Sequence, residues 1–172
     1  MMKYMIGADI GTTSTKAVLY DLKGNVKAYA NVGYPLYQNV PDMAEEDPDE
    51  IFEAVVEVLG KVMRKGHVQA GELQGVSFSA AMHSLILMDR NHQPLTRAIT
   101  WADNRAAKYS NELKANGLGH EIYQHTGTPI HPMAPLSKII WLRHEQPDLF
   151  KQAAQFIDIK TYVFQKLFHT YK

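Results

Sequence analysis

Six residues near the amino terminus have types and spacing that suit phosphate chemistry: Asp9, Gly11, Thr12, Thr13, Ser14 and Lys16. Asp9 lies in an otherwise apolar stretch, where a carboxylate is costly to bury unless it binds a cation or accepts hydrogen bonds. The glycine lets the backbone bend, and the three hydroxyl residues after it supply successive N–H and O–H groups for phosphate oxygens. The lysine adds a positive charge. The pattern predicts a phosphate-binding loop in which Asp9 holds Mg²⁺, directly or through water.

The residues around this loop distinguish it from two common nucleotide-binding motifs. The mononucleotide motif GxxxxGK[ST] requires a helix behind it, whereas Ala17-Val18-Leu19-Tyr20 predicts a strand. The dinucleotide motif GxGxxG is absent from the chain. The structural alternative is an ordinary Gly-Thr turn that Asp9 caps. The alternation of apolar and polar residues on both flanks favours a phosphate loop between two strands.

A second set of polar residues suits a ligand with many hydroxyl groups, because such a site needs mixed donors and acceptors. The set comprises Ser79, His83, Ser84, Asp103 and Arg105. The first three follow or end a predicted strand, and the last two lie at a predicted helix start. Each also has a structural alternative. His83 can be a structural histidine, Asp103 a helix N-cap and Arg105 part of a solvated helix face, while nearby Trp101 is expected to pack.

The elements that must position these residues change type in a definite order. The first three strands are predicted at residues 4–10, 16–21 and 26–34, and their short connections indicate an antiparallel meander. A helix follows from Asp47-Pro48, with its apolar residues on one stripe. Later strands are predicted at residues 73–79, 85–88 and 156–157, and later helices begin at Asp103, Pro135 and Asp158. The order indicates an α/β domain with a mixed sheet.

Composition excludes several classes of protein. The 172 residues carry 18 basic and 18 acidic side chains, so the charge that a nucleic-acid binder needs is missing. The absence of cysteine excludes disulfides and thiolate zinc sites, and fits a cytoplasmic location. The longest apolar runs are far shorter than a membrane span. We therefore expect a cytoplasmic protein that binds neither nucleic acid nor membranes, and the sequence leaves its oligomeric state open, a homodimer included.

Four segments of the chain resemble known proteins. DIGTTSTK resembles the first phosphate loop of the superfamily of sugar kinases, actin and heat-shock chaperones. SFSAAMHSL, ITWADNRA and TGTPIHPMAPLSKIIWL, in that order, resemble the FGGY carbohydrate kinases, most closely the gluconate kinases among them. The resemblance spans Met5 to Phe168 and implies a ribonuclease H-like (actin-like ATPase) lobe. It further implies ATP-dependent phosphorylation of D-gluconate to 6-phosphogluconate, with ATP and Mg²⁺ as cofactors.

The resemblance also assigns roles on the sugar side. It implies that the loop at Met82 and His83 faces the substrate, together with Asp103 and Arg105. His83 and Asp103 would bind hydroxyl groups, and Arg105 would hold hydroxyls or a carboxylate. A sugar acid needs a partner for its carboxylate, and Arg105, Lys138 and His83 all stay open as candidates.

In the same family the catalytic carboxylate lies in a later Gly-Asp segment, and most of the adenosine pocket belongs to a second lobe. Neither has a counterpart before Lys172. We therefore expect residues 1–172 to be an amino-terminal lobe, truncated before its carboxy-terminal lobe and without kinase turnover alone, and the base is left unassigned. Two other functions stay open: a pentulose or polyol kinase of the same family, and a non-catalytic nucleotide clamp like actin or the chaperones.

Overall fold

The computed structural model describes residues 3–170 of the chain. Its strands are β1 (Tyr4–Ile10), β2 (Ser14–Asp21), β3 (Val26–Gly33), β4 (Glu45–Glu46), β5 (Leu73–Ala80), β6 (Ile86–Met88), β7 (Ala98–Ile99) and β8 (Gln155–Ile157). Its α-helices are α1 (Pro48–Lys65), α2 (Ala107–Ala115), α3 (Leu118–Thr126), α4 (Pro135–Glu145), α5 (Pro147–Gln152) and α6 (Ile159–Phe168). Across these described residues, no helix combines the length and the apolar character that a membrane span requires.

A mixed sheet of four strands forms the centre, in the order β3-β2-β1-β5. The pairs β1–β2 and β2–β3 are antiparallel, which confirms the predicted meander, whereas β1 and β5 are parallel. Because parallel strands end at the same edge of a sheet, the loops that follow β1 and β5 start side by side. The N–H of Ala81 donates to Ile10 O at 2.8 Å at this edge.

Helix α1 covers one face of the sheet. Its residues Val58 and Val62 pack against apolar strand residues that include Ile6 and Leu19. The helix begins as predicted, because the Asp47 carboxylate accepts hydrogen bonds from two amides of the first turn. Glu50, in the same turn, accepts a hydrogen bond from the Tyr37 hydroxyl at 2.9 Å.

Short antiparallel pairings bring distant segments to the edge where β1 and β5 end. Strands β4 and β7 pair Glu45 with Ile99 and Glu46 with Ala98. Ile99 in turn exchanges two backbone hydrogen bonds with Leu85, at 2.9 and 3.0 Å. The segment before α1, the loop after β5 and the loop after β7 therefore converge.

The helical region after β7 differs from the prediction. Asp103 does not cap α2, because that helix begins at Ala107 with Ala106 at its N-cap and Asp103 is buried elsewhere. Helix α3 was not predicted. It occupies the short stretch between Gly117 and Gly127, whose φ angles are 83° and 67°. Because glycine adopts this left-handed backbone readily, Gly117 separates α2 from α3, and Gly127 ends α3. Pro135 and Asp158 begin their helices as predicted.

Candidate functional site

The turn between β1 and β2 is held in one shape by hydrogen bonds from two directions. The N–H of Gly11 donates to Ser14 O at 3.0 Å, and the N–H of Tyr34 donates to Thr13 O at 3.2 Å. The Tyr34 hydroxyl donates to Gly11 O at 2.5 Å. Burial raises the pKa of Tyr34 to about 12, so the hydroxyl keeps its proton at neutral pH. Glycine is needed at position 11 because a Cβ there would lie 3.1 Å from Ser14 O.

Asp9 lies on the exposed face of the sheet, one residue before β1 ends. The strand register places Lys16 on one side of it and Ser79 on the other, so the three side chains share this face. All three are exposed. The Asp9 carboxylate has no hydrogen bond or ion pair with any residue in the range 3–170. Ser79, which the sequence assigned to the sugar side, therefore lies beside the phosphate loop.

The donors around this turn fit a magnesium-bound phosphate. The amides of Thr12 and Thr13 donate to no acceptor among the described residues, so both are available to an anion. No group of three or more His, Cys, Asp or Glu side chains in that part of the chain could hold a metal alone. Mg²⁺ at Asp9 would therefore take its other ligands from phosphate oxygens and water, which is how this ion is often bound.

Trp101 joins the phosphate loop to the loop after β7. Its indole Nε1–H donates to Thr12 Oγ1 at 2.8 Å, although its ring is half-exposed rather than packed as the sequence suggested. Because the Thr12 oxygen accepts this bond, its own hydrogen can point toward a ligand. The two loops line one narrow cleft, whose walls include Gly11, Met82 and Ser84.

Asp103 is buried and holds other parts of the site together. Its carboxylate accepts hydrogen bonds from the N–H of Ala44 at 2.9 Å and from Nε of Arg105 at 2.9 Å. The Arg105 guanidinium also pairs with Glu45 at 2.5 Å and lies over the Trp141 ring, 4.5 Å from its centroid. Asp103 has 0 % exposure, and its carboxylate positions Arg105, while the expected contact of Asp103 with a substrate stays a prediction.

The side chains of the loop after β5 differ in their exposure to solvent. Met82 is 73 % exposed, and His83 is partly exposed with a left-handed backbone at φ 67°. Ser84 is buried, and its Oγ accepts a hydrogen bond from the N–H of Ile159 at 3.0 Å, at the start of α6. Ser84 therefore ties this loop to α6, and its hydroxyl keeps its hydrogen and one lone pair for a further bond.

The structure separates the three candidates for a substrate carboxylate. Lys138 has 0 % exposure, and its Nζ is bonded to backbone carbonyls, so it cannot reach a ligand. Arg105 is engaged by the carboxylates of Glu45 and Asp103. The imidazole of His83 has no hydrogen bond or ion pair with the residues that the structure describes.

Glu46 is a buried acid on the wall of the same cleft. It is 4 % exposed, and its Oε1 has no hydrogen-bond partner within residues 3–170. Burial raises the pKa of Glu46 to about 8, because water no longer stabilises the ionised form. The carboxyl group is therefore largely protonated at neutral pH.

Sequence reasoning missed Tyr34, Glu45 and Glu46. Tyr34 is 23 residues from Gly11, and nothing in the local pattern connects the two. The two glutamates precede Asp47-Pro48, so the acidic run was taken as a helix start alone. The only available signal was that this run contains more acids than a helix cap needs.

The mixed sheet, the turn between β1 and β2 and the polar loops at one sheet edge define a lobe with the actin-like ATPase fold. Ligands of open α/β sheets bind outside the carboxyl ends of strands, where these loops meet. The chain belongs to the FGGY family of carbohydrate kinases: the model of that family's N-terminal domain matches residues 4–172. This confirms the family and the ribonuclease H-like fold that the motifs implied.

Individual relatives agree with this assignment. The chain is 50 % identical to a gluconokinase of Bacillus licheniformis over 171 aligned residues. The alignment covers 99 % of this chain and 33 % of that protein. It matches a gluconate kinase from Lactobacillus acidophilus with a TM-score of 0.92 at 43 % identity, over 96 % of this chain and 33 % of that one. A ligand-bound xylulose kinase from Lactobacillus acidophilus matches with a TM-score of 0.91 at 43 % identity, over 95 % and 33 %. The chain spans about a third of the length of these relatives.

We predict that Glu46→Gln flattens the pH dependence of folding stability. The pKa of Glu46 is about 8 in the fold against 4.5 as a free side chain, so the folded state holds the extra proton between these values. The stability that this proton provides is complete below about pH 4.5 and is lost as the pH rises towards about 8, by up to about 1.4 kcal/mol per pH unit. Glutamine cannot ionise and removes this loss.

Urea denaturation at a series of pH values measures the effect. Glu57→Gln is the matched control, because Glu57 is an exposed residue of α1 and its loss should leave the slope unchanged. Equal slopes for the wild-type chain and Glu46→Gln would show that Glu46 ionises normally in the fold.

Proposed function

We propose that this chain is the phosphate-binding and sugar-binding lobe of an ATP-dependent kinase that converts D-gluconate to 6-phosphogluconate. The observation that carries the proposal is that two loops meet at one sheet edge. One is a turn beside an exposed carboxylate, and the other carries an imidazole; neither that imidazole nor the turn amides of Thr12 and Thr13 have a partner among residues 3–170. The 50 % identity to a gluconokinase of Bacillus licheniformis supports gluconate as the substrate. An ATP-dependent enzyme acts where ATP is supplied, so we also propose a cytoplasmic location.

On the nucleotide side, the amides of Thr12 and Thr13 bind phosphate oxygens of ATP. Gly11 and Ser14 set the shape of the turn through their mutual backbone hydrogen bond. Asp9 holds Mg²⁺, which neutralises charge on the β- and γ-phosphates when it is bound. Lys16, on the neighbouring strand beside Asp9, adds a second positive charge at the same face.

On the sugar side, the His83 imidazole donates an N–H hydrogen bond to the carboxylate of gluconate, and it can do so in either protonation state. Arg105 is held by Asp103 and Glu45 with 19 % of its side chain exposed, enough for one further contact with a hydroxyl group. Met82 covers the ligand as an exposed apolar side chain. These contacts aim the terminal hydroxyl of the sugar acid toward the phosphate loop.

The reaction is a phosphoryl transfer. The terminal hydroxyl oxygen forms a bond to the γ-phosphorus, the bond from that phosphorus to the bridging oxygen breaks, and ADP leaves with the electron pair. The hydroxyl proton passes to a carboxylate base, which we assign to none of residues 3–170. The protein contributes mainly positioning and charge neutralisation.

A pentulose kinase is the alternative within the family, since a xylulose kinase matches the fold as closely as a gluconate kinase does. A neutral ketose needs no partner for a carboxylate. A nucleotide clamp without a sugar substrate is disfavoured by the exposed Met82 on the cleft wall and by the neighbouring His83, whose imidazole has no partner among residues 3–170.

We predict that the 172-residue chain alone shows no kinase turnover, because it carries neither an assigned base nor a complete adenosine pocket. A coupled assay of ADP release with gluconate and MgATP measures this, with a preparation of intact gluconate kinase as the positive control. Robust turnover by the chain would contradict the proposal that it is one lobe of a larger enzyme.

We predict that Asp9→Asn weakens binding of magnesium tripolyphosphate by about tenfold, because the amide lacks the charge that holds the ion. Tripolyphosphate tests the phosphate loop without the adenosine pocket. Isothermal titration calorimetry with and without EDTA measures the effect, and the variant should match the wild-type chain once the metal is removed. Asp148→Asn, at an exposed position of α5, is the control. Identical affinities in Mg²⁺ would disprove the metal role of Asp9.

We predict that the chain binds gluconate more tightly than D-glucitol, which has a neutral hydroxymethyl group in place of the carboxylate. His83→Gly should reduce the gluconate affinity to the glucitol level, because it removes the imidazole while glycine accepts the left-handed backbone. Calorimetry with gluconate, glucitol and xylulose measures this. His67→Gly is the control, since His67 is also left-handed at φ 53° and is exposed. Preference for xylulose would favour the pentulose kinase instead.

A further inference from the structure

Lys138 is fully buried, so contact with a substrate does not explain why a charged side chain lies at this position. It lies on α4, has 0 % exposure, and directs its ammonium group at backbone atoms alone. Burial lowers its pKa to about 8, and the nearby Asp103 carboxylate opposes this shift. Burying an ammonium group is costly unless hydrogen bonds and a counter-charge compensate. A lysine at this position therefore needs a specific reason.

The two hydrogen bonds of Lys138 join the loops that carry the sugar-side residues. Its Nζ donates to His83 O at 2.5 Å and to Ile99 O at 3.2 Å. His83 belongs to the loop after β5, and Ile99 ends β7 just before the Thr100–Arg105 loop. The ammonium group thus adds a side-chain link between two segments, next to the backbone hydrogen bonds that pair Leu85 with Ile99.

The bond to His83 also compensates an unusual backbone. His83 has a φ of 67°, in the left-handed region that residues other than glycine rarely occupy. Such a conformation persists where the surroundings hold it, and it concentrates at functional sites. The ammonium group supplies a charge-assisted hydrogen bond to the carbonyl of this same residue. Lys138 therefore holds the backbone from which the His83 imidazole projects.

We propose that Lys138 is a positioning residue for sugar binding, which holds the His83 loop against the loop after β7 without touching the substrate. This inference rests on the proposed function, because it assigns the purpose of the two loops to a sugar ligand. Its physical basis is preorganisation: a group fixed in its bound geometry loses little entropy when the ligand arrives, and a small misplacement costs much affinity.

The test is Lys138→Met in the 172-residue chain, because methionine fills the space of the lysine stem and donates no hydrogen bond. We expect the gluconate affinity to fall by about tenfold while the affinity for magnesium tripolyphosphate changes by less than about twofold. Lys138→Arg, which keeps the charge and the donors, should recover part of the gluconate affinity. Lys114→Met is the matched control on an exposed face of α2.

Two calorimetric outcomes would overturn the inference. One is unchanged gluconate affinity in Lys138→Met. The other is an equal loss of sugar and phosphate binding, because it would show general loosening of the fold rather than positioning of one loop. Should Lys138→Met fail to fold, Lys138→Gln takes its place, since glutamine is too short to bridge both carbonyls, and the same outcomes decide.

A second measurement separates failure of this inference from failure of the proposed function. The three-bond coupling between the amide proton and Hα of His83 reports its φ angle by NMR. We expect this coupling to change in Lys138→Met and to stay constant in Lys114→Met. If the wild-type chain binds no sugar, the proposed function fails and the sugar-binding purpose of Lys138 fails with it. The coupling then tests the structural premise by itself: a change shows that Lys138 holds the His83 backbone, and an unchanged value overturns the inference at its physical basis.

Discussion

The parallel pairing of β1 with β5 is the constraint on which the rest of the site depends. It aligns Ile10 with Ala80, so the phosphate-type turn and the His83 loop leave the sheet at adjacent points of one edge. An antiparallel pairing of the same strands would send the two loops to opposite edges. The backbone bond from Ala81 to Ile10 then fixes the first residue beyond the strands. Every proposed contact with nucleotide or sugar follows from this placement.

Three ionisable side chains are buried around that edge. Asp103, Lys138 and Glu46 are each less than 5 % exposed. The first two are compensated, because Asp103 is bonded to Arg105 and Lys138 is bonded to two carbonyls. Glu46 is compensated only by keeping its proton. Such groups contribute little to net stability, since a well-packed apolar residue would serve the fold as well or better. Their value lies in fixing loop geometry and cleft polarity.

The parts of the fold that depend on local sequence could be predicted. The three strands of the meander follow from alternation, and the start of α1 follows from Asp47 and Pro48, whose capping chemistry needs no distant partner. Gly24 has a φ of 84° in the turn between β2 and β3, where glycine adopts a positive φ without strain. Such features depend on residues a few positions apart, which a single sequence displays directly.

The site itself could be predicted only in part. Asp9 and the hydroxyl residues after it could be proposed as a phosphate site because they lie close together in the chain, and the structure places them where β1 joins β2. The burial of Asp103 and Lys138 could not be predicted, because it depends on packing between segments that are far apart. Asp103 at a loop end looks like a helix cap until the fold shows its bonds to Ala44 and Arg105. The structure thus shows which of the predicted site residues are exposed and which are buried in bonds to other parts of the chain.

The central claim is that the turn between β1 and β2 binds the phosphates of ATP, with Asp9 as the anchor of the metal. A crystal structure of the chain with magnesium and a non-hydrolysable ATP analogue tests it most directly. The account predicts phosphate oxygens within about 3.2 Å of the Thr12 and Thr13 amides and the ion bound to Asp9 directly or through one water. Phosphates bound elsewhere, with the Asp9 carboxylate hydrogen-bonded to its own turn, would contradict it.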